Sequence, residues 1–533
     1  MRTGPFASKF AEHGMVCAVD HLAAQAGVQM LQRGGTAADA AIATNAVLAV
    51  TTQHMCGLGG DLFALVHVPG EPTPFALNAS GRSGSGADLE RLRADGHTSV
   101  MPLFEDIRSV PVPGCVDGWA ALHARFGKLP LREVLEPARL YAADGFPASQ
   151  TLARAASAVS SRPGGEAYAA ATHPGAIVRR PGVARTLEAI ADGGREAFYR
   201  GEFGRGLLSL GAKQSGISEY VDDDLLAVNA DWVEPLSVQA WGRSLWTIPP
   251  NSQGYLSLAA SWIADGLPLP EDPEDALWAH LLVEAARAAS FDRDQVLHER
   301  ADGAALLDPA VLGPRRDGIR TDAVATYDGE RYSSGGTIYL CAVDNDRMGV
   351  SLIQSNAAGF GSMLAEPTTG IFLQNRGLGF SVEPGHPAAY GPRRRPPHTL
   401  SPALVTKDDG SLDMVIGTMG GDAQPQVVLQ LLARLLRNNE TVGDAIAGPR
   451  WVLSGAPPFG NGFDTWQARG AVQVHLEDTA SQWEAGLRQR GHDVVTHPPL
   501  GYNVGHAHAI GVRGDSLEAA SDPRSLAGNA AGY

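Results

Sequence analysis

Ser334-Gly335-Gly336-Thr337 opens onto Ile338-Tyr339-Leu340-Cys341-Ala342-Val343-Asp344, a strand-like run deep inside a chain of 533 residues. Two glycines give the backbone access to twisted geometries, and the β-branched threonine holds its hydroxyl in few rotamers. That hydroxyl is a weak nucleophile unless a base stands beside it. The simplest base is the α-amino group of the same residue, which titrates at about 7.7–8.0 when free. An internal threonine has no such amine, and cleavage of Gly336-Thr337 would create one. The junction therefore reads as a self-cleavage site that exposes a strand-initial nucleophile.

Hydrophobic residues make up 44% of the chain and no disordered block interrupts them, so one large α/β body or two intimately packed parts are expected. The net charge of −16, without a basic stripe carrying interleaved aromatics, argues against nucleic acid as a partner. Arg393-Arg394-Arg395 is a tight basic cluster that reads as a solvated loop or, less favoured, as an anion-attracting rim. Cys17, Cys56, Cys115 and Cys341 lack metal-ligand or disulfide-framework spacing and read as small core fillers, so no metal is expected. Residues 1–15 lack the apolar region of a signal peptide and no stretch approaches the ~20 apolar residues of a membrane span, which predicts a cytoplasmic protein without a membrane partner.

Helical patterns run over Asp20 to Arg33 and Thr36 to Val50, split by Gly34-Gly35, with Thr36 as an N-cap. Phe63 to Val68 reads as a buried strand. The middle third reads as mostly helical, with helices at Leu131 to Ala143 and Ala276 to Phe291 and a Pro249 to Gly254 turn that leads into another. After Thr337 strands dominate: Ile338 to Val343, Gly349 to Ser355, Ala403 to Thr406 and Leu412 to Gly417, the last two joined at Asp409-Gly410. A helix from Gln424 to Arg437, a strand at Val472 to Leu476, a helix from Ala480 to Arg490 and a final strand near Ala507 to Val512 follow. This order predicts a layered sheet core covered by helices on both outer faces.

Gly34-Gly35-Thr36-Ala37-Ala38-Asp39-Ala40-Ala41, Gly57-Leu58-Gly59-Gly60-Asp61, Val112-Pro113-Gly114, Asp144-Gly145-Phe146-Pro147, Pro249 to Gly254, Gly417 to Gly421 and Ser521-Asp522-Pro523-Arg524 occur in an order that resembles the gamma-glutamyltransferase family nearly end to end. The resemblance implies a proenzyme with a four-layer α-β-β-α sandwich of the N-terminal nucleophile hydrolase type, with a mostly helical portion in its large subunit. That subunit would be residues 1–336, and the small one, residues 337–533, would begin with the nucleophile Thr337. It implies acyl transfer through a threonyl ester on a small-molecule amide, without metal or organic cofactor. It also implies that the two pieces stay associated, with a homodimer of the paired pieces as a further assembly.

Carried over by position, Gly420 and Gly421 match the glycine pair whose N–H groups form an oxyanion hole, and Ser355 matches a second threonine bonded to the nucleophile. Arg82 matches an arginine that clamps a substrate carboxylate. Glu383 to Pro392 matches a lid over the cleft, and Asp39 and Asp61 read as supports for helix ends without a site role.

The chain departs from that pattern where the family holds the α-amino group of a glutamyl substrate. Ala357, Arg376 and Gly379 stand in place of an asparagine, a glutamine and an aspartate, so the expected carboxylate is missing and a cation has appeared. His398-Thr399 replace two serines that touch the substrate carboxylate. Thr399 keeps a hydroxyl, while His398 reads as an anion ligand when protonated or as a cap on a carbonyl. These changes predict an amidohydrolase for oxamate-like, glutaryl-like or other acyl groups that carry a carboxylate and lack an α-amino group. The alternatives are an ordinary γ-glutamyl hydrolase or transferase, a biosynthetic relative that cleaves amide or carbon-carbon bonds, and an unprocessed binding protein.

Overall fold

The strand after Thr337 alternates between two cores. Ile338, Leu340 and Ala342 pack with the helices His21–Gln32 and Ala37–Thr51, whereas Tyr339, Cys341 and Val343 pack with Phe63, Ile353, Leu404, Val415 and Ile510. A strand buried on both faces belongs between a helical layer and a second sheet, and each such large apolar side chain stabilises by roughly 1.5–3 kcal/mol. The computed structural model describes residues 7–215, 218–327, 336–455, 472–478, 481–501 and 504–533.

One seven-stranded antiparallel sheet runs in the order Asn529–Gly532, Met15–Ala18, Ile338–Val343, Gly349–Ser355, Asp61–His67, Phe75–Ala79, Asp231–Val233. The other runs Lys9–Ala11, Ser516–Ser521, Ala507–Arg513, Leu412–Thr418, Ala403–Thr406, Arg243–Thr247, Leu236–Ala240. Helices Tyr255–Asp265, Ala276–Ser290 and Gln424–Leu432 cover the outer face of the second sheet. The result is a four-layer α-β-β-α sandwich. Both sheets take strands from either side of the Gly336-Thr337 bond, so the stretches before and after it share one core. No helix among the described residues is long and apolar enough to cross a membrane.

Local signals explain the element ends. Asp20 caps the helix His21–Gln32, and Thr36 and Asp39 form a reciprocal capping box on Ala37–Thr51, the kind of arrangement that contributes about 1 kcal/mol. The four cysteines are buried free thiols, as core fillers should be.

The middle third is less helical than its sequence suggests. It carries the hairpin Leu236–Ala240 and Arg243–Thr247, whose turn residues Trp241 and Gly242 have φ of 49° and 68°. A turn with two positive φ values usually announces itself with Asn or Asp, and tryptophan hides it. The expected helix from Gln424 to Arg437 is α-helical only to Leu432 and continues as a π turn over Ala433–Arg437. Strands Ser516–Ser521 and Asn529–Gly532 lie beyond the strand expected to be the last. Ser334, Gly335 and Ala480 of the sequence reading lie outside the described residues.

Candidate active site

Ile338 pairs with Gln354 across the first sheet, which brings Thr337 beside Ser355 at the end of the neighbouring strand. Thr337 is fully buried. Its Oγ1 lies 2.6 Å from the Gly336 carbonyl oxygen and 3.2 Å from Ser355 Oγ. Ser355 in turn donates to the same carbonyl at 2.8 Å and accepts the Ala357 N–H at 2.8 Å.

Arg376 opens a short 3₁₀ turn, Arg376–Gly379, and is fully buried. Its Nη2 reaches Ser355 Oγ at 3.3 Å and its Nη1 donates to Thr399 Oγ1 at 3.0 Å. Burial pushes the guanidinium down to about 10, with Asp61 and Asp422 opposing, so it stays charged at neutral pH. Thr399 and His398 line a cavity of about 160 Å³, together with Gly379, Gln253, Arg293 and Asp422. Glu383, His386 and Ala388 of the expected lid segment close one side of it. That segment is pinned: Tyr390 donates its hydroxyl to Glu219 at 2.6 Å and Arg394 donates to the carbonyls of Pro387 and Ala389.

His398 is a correction to the anion-ligand reading. Burial and then the charge of Arg376 push its imidazole down to about 3, so it is neutral at working pH. Its Nε2 lies 3.2 Å from Asp61 Oδ2, and its Nδ1 accepts the Leu400 N–H at 3.2 Å, which assigns the proton to Nε2. Asp61 was missed as part of this site. Its Oδ1 accepts from Gly81 N, Gly114 N and Gln374 Nε2 at 2.8, 3.2 and 2.8 Å, so one buried carboxylate gathers three loops behind the cavity. Asp39 does support a helix end, but Asp61 begins a strand.

Arg82 does not join this group. It donates to Asn229 Oδ1 at 3.1 Å and to Asp231 Oδ2 at 2.9 Å, and Arg395 reaches the same carboxylate at 2.8 Å. Asp231 is itself half-exposed, and no hydrogen bond links Arg82 to Thr337, Ser355 or Arg376 among the described residues. The arginine triplet fits the solvated-loop reading only at exposed Arg393, which pairs with Asp224; Arg394 pairs with Glu299, and buried Arg395 donates to the Ser80 and Asn229 carbonyls. These side chains stitch loops together.

The strand Leu412–Thr418 faces the Tyr339 ring through Gly417, and the glycine pair follows it with φ of 138° at Gly420 and 58° at Gly421. Neither amide N–H of the pair has an acceptor among the described residues. Gln253 donates to both the Gly421 and the Thr399 carbonyls, at 2.9 and 3.0 Å, which ties the pair to the cavity wall.

A family model described as Gamma-glutamyltranspeptidase matches residues 23–533. The chain belongs to the gamma-glutamyltranspeptidase family. It is similar to the Oxamate amidohydrolase proenzyme of Klebsiella pneumoniae subsp. pneumoniae, with 37% identity over 546 residues covering 99% of each chain. It is 34% identical to the Glutathione hydrolase-like YwrD proenzyme of Bacillus subtilis, over 96% of this chain and 97% of that one. The crystal structure of cephalosporin acylase from Bacillus halodurans matches with a TM-score of 0.88 and 32% identity, over 99% of this chain and 97% of that one. This member of the gamma-glutamyltranspeptidase family is thus an enzyme of the N-terminal nucleophile class, a hydrolase or transferase.

His280, Glu284 and His492 form the one group of metal-ligating reach among the described residues of this gamma-glutamyltranspeptidase-family chain. Their donors are committed elsewhere. The two imidazoles meet at 2.8 Å, Glu284 accepts from Arg287 and from the Ala325 N–H, and Arg287 and Arg490 add positive charge around His492. Such a cluster suits a hydrogen-bonded helix junction better than a cation.

Proposed function

We propose that the chain cleaves itself between Gly336 and Thr337, giving pieces of residues 1–336 and 337–533, and that the new N-terminal threonine hydrolyses an amide whose acyl part bears a carboxylate and no α-amino group. Arg376 carries this reading: a buried cation stands 3.3 Å from Ser355, the neighbour of the nucleophile, where a glutamyl-binding site needs an anion. The carboxylates that bear on it also serve other groups, Asp61 the Gly81, Gly114 and Gln374 donors and Asp422 the Arg293 guanidinium at 2.5 Å. A second observation agrees. A Cβ on Gly379 would stand 2.4 Å from the Pro397 carbonyl oxygen, so an aspartate there would need the backbone to move. The name of the Klebsiella relative, an oxamate amidohydrolase, is consistent with a small carboxylate-bearing acyl group.

In the proposed reaction, the Thr337 hydroxyl attacks the amide carbonyl while its own freed amine takes the proton. The N–H groups of Gly420 and Gly421 receive the developing oxyanion, a contribution worth roughly 3–4 kcal/mol where such donors have been removed. Ser355 orients the nucleophile, Arg376 and Thr399 hold the acyl carboxylate, and water resolves the ester. A γ-glutamyl substrate would place its ammonium near Arg376. At about 5 Å and an effective dielectric of about 20 that repulsion costs about 3 kcal/mol, roughly a hundredfold in kcat/KM. Glutaryl- and γ-glutamyl-p-nitroanilide on processed enzyme make the test, with the glutaryl compound expected to win by that order. Preference for the γ-glutamyl compound would sink the specificity proposal.

A further inference from the structure

Ser355 carries one hydroxyl proton and two lone pairs, yet four groups surround its oxygen. The Ala357 N–H at 2.8 Å and the Arg376 Nη2–H at 3.3 Å are obligate donors, so they take the lone pairs. The proton of Ser355 is then left for an acceptor, and the Gly336 carbonyl is that acceptor at 2.8 Å. With both lone pairs taken, Thr337 Oγ1 also turns its proton to the Gly336 oxygen, 2.6 Å away, rather than to Ser355 at 3.2 Å. The bond between Gly336 and Thr337 is thus held with a directed hydroxyl on its carbonyl, and a cation behind that hydroxyl.

We infer that Arg376 is a positioning residue for maturation, acting through Ser355 on the Gly336 carbonyl before any substrate is bound. A charged donor on the Ser355 oxygen polarises its O–H and strengthens the bond that this hydroxyl makes to the carbonyl. Thr337 Oγ1 attacks the Gly336 carbonyl carbon and a C–O bond forms. Charge that gathers on the Gly336 oxygen is met by Ser355. The C–N bond to Thr337 then breaks and the hydroxyl proton ends on the released amine, leaving an ester. Water adds to that ester, freeing Gly336 as a carboxylate and restoring the Thr337 hydroxyl. The inference rests on the cleavage proposed above, but not on any choice of substrate.

The experiment follows the appearance of two fragments from freshly made precursor by denaturing electrophoresis, without substrate. Arg376→Met is expected to slow cleavage at least tenfold, and Arg376→Lys, which retains a charged donor, to recover most of the rate. Neutral hydroxylamine, which cuts esters, should leave the Arg376→Met precursor intact because the acyl shift itself is impaired. Cleavage of the methionine variant at the parent rate, a lysine variant no faster than the methionine one, or full rescue by hydroxylamine would each overturn the inference. A parent chain that never cleaves is a different result and removes the maturation reading itself.

Discussion

Asp61→Asn tests whether one buried carboxylate organises the site. Asparagine has the same shape but one acceptor oxygen, and three donors converge on Oδ1: Gly81 N, Gly114 N and Gln374 Nε2. The amide oxygen must stay there, which turns the NH₂ toward His398 Nε2–H. His398 cannot answer by moving its proton, because its Nδ1 accepts the Leu400 N–H. A donor then faces a donor in a dry interior, at a cost of about 1–3 kcal/mol, and three charge-assisted bonds become neutral ones, each about 1 kcal/mol weaker. The total is roughly 4–6 kcal/mol. For a chain of this length, with about 2 cal/mol/K of unfolding entropy per residue, that lowers the melting temperature by about 4–6 °C. Differential scanning fluorimetry at a fixed scan rate measures it. A shift within about 1 °C would refute the view of Asp61 as the anchor of three loops.

Thr337→Ala is expected to leave a single uncleaved species with no amide hydrolysis and an unchanged melting temperature. The fold keeps its core on either side of the junction, and fragments of the alanine variant breaking at that bond would remove Thr337 from the cleavage. Acid should destabilise the protein through its buried imidazoles: burial pushes His54, His398 and His508 each down to about 3. For a base whose folded pKa is depressed, the unfolded chain binds the extra proton, so stability is complete above about pH 6.5 and falls toward about pH 3. Each imidazole removes about 2 kcal/mol by about pH 5, while Glu219, raised to about 7 by burial, opposes this, as do Asp20, Asp117 and Asp344 at lower pH because burial raises them too. A melting temperature that holds steady between about pH 7.5 and about pH 5 would contradict those assignments.

The difference between what the sequence showed and what it hid follows the range over which each signal acts. Hydrophobic alternation is local, and the strands Ile338–Val343 and Gly349–Ser355 fall where their residues predict them because each faces an apolar layer on both sides. Caps are local too, and Thr36 declares the start of its helix within three residues. A buried charge has no such neighbourhood. Arg82, in a glycine-rich loop, shows no partner in the sequence, and its Asp231 lies 149 residues further on. Asp61 looks like a helix support until Gln374 reaches it from 313 residues away. The arginine triplet reads as a solvated loop or an anion-attracting rim because Asp224, Asp231 and Glu299 lie far back in the chain. Arg376 was legible only as a departure from a family pattern, and its meaning depends on where the nearby carboxylates are spent. Asp61 answers loop amides, Asp422 answers Arg293, and the guanidinium between Ser355 and Thr399 keeps its charge. On the proposed reading, a buried guanidinium bonded to Ser355 and Thr399 suits a carboxylate that arrives with the substrate better than an ammonium.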